Sequence, residues 1–90
     1  MTSNISQTTA FKKDLKRQKK RGKDLNKLQE LVKLLIAEEL LEEKYRDHSL
    51  TGNWADSRDC HIEPDWQLIY RIADSTLYLE RTGSHIDLFK

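Results

Sequence analysis

Ninety residues make one domain, residues 1–90, with room for a single small core. No apolar run is long enough to cross a bilayer, Met1–Ala10 lacks the apolar stretch of a secretory signal, and Cys60 is the only cysteine, which excludes an internal disulfide and a Cys-x-x-Cys metal pair; a cytoplasmic protein is expected. The net charge of +1 hides two opposed halves, because residues 1–27 carry nine basic side chains against Asp14 and Asp24, a net +7, and the remainder is net −6.

Asn4-Ile5-Ser6-Gln7-Thr8-Thr9 is short, polar and β-tolerant, and predicts an edge strand. Thr9 is placed to cap a helix from Ala10, in which Phe11 and Leu15 form a thin apolar stripe and almost everything else to Arg21 is basic. Gly22 ends that helix. Most charge runs are solvated helix faces, but this one has almost no acid within it, and each Lys or Arg laid on a phosphate releases counterions. The segment therefore reads as a grip on a polyanion.

Asp24 caps a second helix, in which Leu25, Leu28, Val32, Leu35 and Ile36 recur at helical spacing, with an end expected near Glu39 or Leu40. So short a turn makes the two an αα-hairpin, the basic helix outward and the apolar one inward. From Leu41 to Trp54 periodicity disappears, and Tyr45–Asn53 reads as a loop carrying His48. Asp56–Ile62 and Trp66–Ile72 predict two strands joined by a turn at Glu63-Pro64-Asp65, where Pro presets the turn backbone. With a period of two, Cys60 and Ile62 face the core, while Asp59 and His61 share the opposite face. Asp74-Ser75 turns the chain into a third strand, Thr76–Thr82; Gly83 breaks it, and 84–90 reads as a short tail. The fold class is α+β, an N-terminal αα-hairpin packed on one face of a small, mainly antiparallel β-sheet.

His48, His61 and His85 all lie in the second half. With Asp65 they permit a zinc shell or metal-free phosphodiester cleavage, which needs a base for the ribose 2′-hydroxyl, an acid for the leaving 5′-oxygen, and positive charge around the phosphate. Histidine suits the proton transfers because its reference pKa of ~6.5 leaves both forms accessible near neutrality. No short-spaced ligand pair such as His-x-x-x-His is present, which favours acid–base chemistry over a metal.

Three blocks carry a resemblance: Arg46-Asp47-His48-Ser49-Leu50-Thr51-Gly52-Asn53-Trp54, Arg58-Asp59-Cys60-His61-Ile62-Glu63-Pro64-Asp65-Trp66-Gln67-Leu68-Ile69-Tyr70, and Glu80-Arg81-Thr82-Gly83-Ser84-His85 with Leu88-Phe89. With Phe11–Lys16 and Lys20–Leu25, in the same order, they closely resemble the YafQ branch of the RelE superfamily, toxins of type II toxin–antitoxin pairs. The departures are Ser49 for a usual Pro, Asp56 for a usual Gly and Ser84 for a usual Thr.

The resemblance implies a RelE-like fold and a ribosome-dependent, metal-independent mRNA endonuclease without a cofactor. Its expected partners are the ribosome and mRNA, and a DinJ/RelB-like protein antitoxin through which alone it meets DNA; no membrane is involved. It further implies that His48, His61, Asp65 and His85 are catalytic, with His85 the acid, His48 or Asp65 the base, or the two roles exchanged, and His61 orienting or stabilising charge. Arg81 is expected on the phosphorane charge, Trp66 and Phe89 on an unstacked base, and Lys12, Lys13, Lys16, Arg17, Lys19, Lys20, Arg21 and Lys23 on ribosomal RNA. The alternative is a catalytically silent RNA- or antitoxin-binding module on the same fold.

Overall fold

The computed structural model describes residues 2–89; Met1 and Lys90, the first residue of the N-terminal segment and the last of the expected tail, lie outside it. In chain order the elements are β1 (Asn4–Gln7), α1 (Thr9–Lys20), α2 (Leu25–Ile36), β2 (His48–Ser49), β3 (Arg58–Glu63), β4 (Trp66–Ala73), β5 (Thr76–Gly83) and α3 (His85–Leu88), with 3-10 turns at Glu43–Tyr45 and Gly52–Trp54. The sheet runs β1-β5-β4-β3-β2; β1 lies parallel to β5, and the other pairs are antiparallel.

Both helices are laid against this sheet by their apolar stripes. Phe11, Leu28, Leu31 and Leu35 meet Cys60, Trp66, Leu68, Tyr70, Leu77 and Leu79 in one core. Removing a side chain as enclosed as Leu31 would cost about 2–5 kcal/mol. The basic helix is not simply outside: α1 buries Phe11, Asp14 and Gln18 and leaves only its lysine-rich face to solvent.

The helix ends follow local chemistry. The cap of α1 is Thr8 rather than Thr9; its hydroxyl accepts from Phe11 N at 3.0 Å and donates to Glu80 O at 2.7 Å, tying α1 to β5. At the other end Gly22 takes φ +81°, which lets Lys23 N reach back to Gln18 O. Asp24 caps α2 as expected, accepting from Asn26 N at 3.0 Å. That helix stops at Ile36, short of Glu39, because Glu38 adopts φ 55° and Glu39 N returns to Leu34 O, a Schellman closure without glycine.

Two further expectations change. His48 lies on the two-residue strand β2, not on a free loop, with His48 opposite Asp59 and Ser49 opposite Arg58. The tail is a helix: Ser84 Oγ accepts from Asp87 N at 3.2 Å while Asp87 accepts from Ser84 N at 2.9 Å, a reciprocal capping box.

Candidate active site

The strand period puts Asp59 and His61 on the face of β3 away from the core, and the register sets Gln67 opposite His61. β2 brings His48 alongside Asp59 from one side, and α3 brings His85 and Phe89 from the other. His48, Leu50, Asp59, His61, Gln67, His85 and Phe89 line one groove of about 470 Å³. The three histidines expected to converge do line a common space.

Backbone carbonyls orient two of the rings. His48 Nδ1 lies 2.7 Å from Arg46 O, and His61 Nδ1 lies 3.1 Å from Pro64 O. A carbonyl only accepts, so both Nδ1 atoms donate, which leaves Nε2 as the accepting nitrogen of each neutral ring. Both Nε2 atoms stand 3.7 Å from the same oxygen, Asp59 Oδ2. His85, at the first position of α3, tilts its ring against Phe89 with centroids 5.1 Å apart, a pair set by the i, i+4 spacing.

Asp59 is the residue that sequence reasoning left out. It is 2% exposed, and Gln67, its amide nitrogen turned toward the acid, donates to its two oxygens at 2.8 and 3.2 Å. Burial pushes the Asp59 carboxyl above its ordinary pKa, and the charges of His61, His48 and His85 oppose that rise. The available signal was the strand period, which already put Asp59 beside His61. Asp47, next to His48, is also held: Tyr70 Oη donates to it at 2.6 Å and Arg58 Nη2 at 3.1 Å.

Other expected site residues lie elsewhere. Trp66 is fully buried, with its indole N–H donating to Thr82 Oγ1 at 2.9 Å, so it packs the core and offers no face to a base. Arg81 spends its fork on Asp14, at 2.6 and 3.2 Å, which removes it as a free phosphate ligand. Asp65, exposed on the β3–β4 turn, is not part of the groove lining; its Oδ1 accepts from the His85 backbone N–H at 3.5 Å. Of the basic set, Arg21 is paired with Asp87 at 2.6 Å and Lys23 with Glu63 at 2.9 Å, and Arg17 touches Asp14 and Asp87 loosely. Lys12, Lys13, Lys16, Lys19 and Lys20 are exposed and without an ion-pair partner among the described residues. No helix among those residues is long and apolar enough to cross a membrane.

Residues 3–90 match the family model described as the bacterial toxin of type II toxin–antitoxin systems, YafQ. The chain is 49% identical to the mRNA interferase toxin YafQ of Escherichia coli K12 over 86 residues, 94% of each chain. Among solved structures it is similar to the E. coli DinJ–YafQ toxin–antitoxin complex, with a TM-score of 0.91, 45% identity and all of both chains covered. It is also similar to a metal-bound toxin from Helicobacter pylori, with a TM-score of 0.90 and 44% identity over 96% of this chain and 98% of that one.

Proposed function

Because the chain belongs to the YafQ family of bacterial type II toxin–antitoxin toxins, we propose that it is an mRNA interferase, a single toxin domain that cuts translated messages on the ribosome and is neutralised by a DinJ-like antitoxin. The observation that carries this reading is the convergence of three imidazoles on one groove. The chemistry is attack of a ribose 2′-oxygen on its own 3′-phosphorus. A base takes the 2′-hydroxyl proton, an acid gives one to the departing 5′-oxygen, and the products are a 2′,3′-cyclic phosphate and a 5′-hydroxyl.

Histidine on both sides of that groove meets the requirement for one neutral and one protonated ring near neutrality. We assign His85 as acid and His48 as base; Asp65, at the turn beside the His85 backbone, has the weaker claim to the base. His61, oriented by Pro64 O, supplies positive charge to the phosphorane when protonated, and Asp59 is the fixed negative charge that such imidazolium ions face. Phe89, lining the groove, gives a ring for an unstacked base. The exposed α1 lysines hold ribosomal RNA phosphates. This assignment locates the protein where messages are translated, in the cytoplasm, and leaves DNA contact to the antitoxin complex. It invokes no metal.

Inducible expression with mapping of mRNA ends tests the reading. Wild type should arrest growth and leave new 5′ ends in translated messages, and His85→Ala should lower cutting by about 10²–10⁴-fold while folding normally. Cutting in a purified translation system should survive a zinc-selective chelator. A His85→Ala protein as lethal as wild type, or intact messages on arrested ribosomes, would remove the catalytic assignment in favour of a binding module.

A further inference from the structure

A second groove, of about 770 Å³, lies between the start of α2, the 3-10 turn at Glu43–Tyr45 and the β3–β4 turn. Two residues join it to the first. His61 belongs to the lining of both grooves. Arg46, whose carbonyl holds His48 Nδ1, belongs to the lining of the second.

The lining holds three acids, Asp24, Glu30 and Glu63, against three bases, Lys27, Lys44 and Arg46, but they are not paired evenly. Glu63 is taken by Lys23 and Lys27 at 2.9 and 2.8 Å, and Asp24 caps α2. Glu30 is the acid of the lining left without a partner among the described residues. Against it stand Arg46, exposed in a left-handed conformation with φ 48°, and Lys44, which lies over the Tyr45 ring at 5.1 Å from its centroid. Arg46 also has no ion-pair partner among the described residues. Free guanidinium and ammonium groups beside an aromatic ring are the parts with which proteins hold single-stranded nucleic acid: cations on phosphate, a ring under the base. The volume lies within the ~300–1,000 Å³ usual for small-ligand sites.

We propose that this second groove binds the nucleotide adjoining the scissile phosphate on the same RNA strand, with Arg46 and Lys44 on its phosphate and Tyr45 toward its base. The inference rests on the endonuclease reading and extends it: His61 belongs to both linings, so one strand at the reacting phosphate has the second groove as its neighbour.

The test uses programmed ribosomes and the full chain. A message with a 2′-deoxy residue at the cut site lacks the nucleophile, and 4-thiouridine is placed at one neighbour or the other. Irradiation should cross-link one of the two neighbours to residues 44–46; cross-links from neither, or only to the His85 segment, overturn the proposal. On cleavable message, Arg46→Gln and Lys44→Gln should raise KM several-fold with kcat kept, each lowering the salt slope of binding by about one, and Arg46→Lys should restore most of the loss. Variants that cut like wild type overturn it, as does a loss confined to antitoxin affinity, which would give the groove to a protein segment. Failure of wild type to cut at all counts against the endonuclease reading, and the cross-link then still decides the groove.

Discussion

A carboxyl sealed from water keeps its proton to a higher pH than the same group in an unfolded chain, and that sets the sign of what Asp59 does to stability. Between the ordinary carboxylate value, ~3.9, and the raised native one, the folded state binds more protons than the unfolded state, so stability falls as pH rises through that window. Above it the cost of the buried charge is fully present. Asp59→Asn should therefore stabilise the fold at pH 7, on the order of 1 kcal/mol in thermal unfolding, with the gain shrinking as pH falls through that window and gone below about pH 4. The same change deprives His48 and His61 of the charge 3.7 Å away, so cutting should fall as stability rises. A variant with wild-type cutting would leave Asp59 no part in the reaction. At this scale the sequence shows which residues share a strand face, and so a floor of Asp59 and His61 was legible. It does not show partners far along the chain. Trp66 and Arg81 read as substrate ligands because Thr82 and Asp14, which occupy them, lie 16 and 67 positions away.

Short elements place two of the three histidines, and neither was legible. The strand β2 is two residues long, too short to display a period, and it exists because Arg58 and Tyr70 clamp Asp47 and β3 supplies an edge. The helix α3 is one turn, held by its capping box rather than by apolar spacing. The close approach of Gly83 is part of that box: a Cβ there would stand 2.8 Å from Asp87 Oδ2. Longer elements were readable, since α1, α2 and the β3–β4–β5 meander carry full periods and turn residues. The dependence of α3 on its cap gives a prediction. Ser84→Ala removes the acceptor for Asp87 N and should cost about 0.5–2 kcal/mol of stability. Because α3 carries His85, kcat should fall further than the small loss of folded protein explains, while KM holds; Ser84→Thr should restore both. A fall in kcat no larger than the loss of folded protein would make the cap merely structural.

Across the molecule, α1 is fastened to the elements that carry the groove. Asp14 accepts from Arg81 and from Thr82 N at 3.2 Å on β5, and Arg21 grips Asp87 of α3 through both nitrogens, at 2.6 and 3.1 Å. That pairing holds the Asp87 carboxyl well below the usual range, Arg21 being the largest cause, so its contribution is present above the ordinary carboxylate pKa and is lost as pH falls through the native value. Under the proposed reading, with the substrate on the ribosome, such rigid attachment would let phosphates held by α1 fix the position of His85 as well. The basic segment is thus divided, Arg21 and Lys23 bound within the fold, and the five lysines without an ion-pair partner among the described residues left as the proposed RNA contacts. Replacing Lys12, Lys13, Lys16, Lys19 and Lys20 with Gln should leave unfolding almost unchanged, because surface charges of this kind contribute little to stability. Association with programmed ribosomes should weaken, and the dependence of log affinity on log salt should flatten by about one for each lysine that meets a phosphate. His85→Ala should leave that slope as in wild type, which separates grip from chemistry. If the five-lysine variant binds ribosomes with the wild-type slope, the +7 of residues 1–27 is a solvated surface and the ribosome is held by some other face.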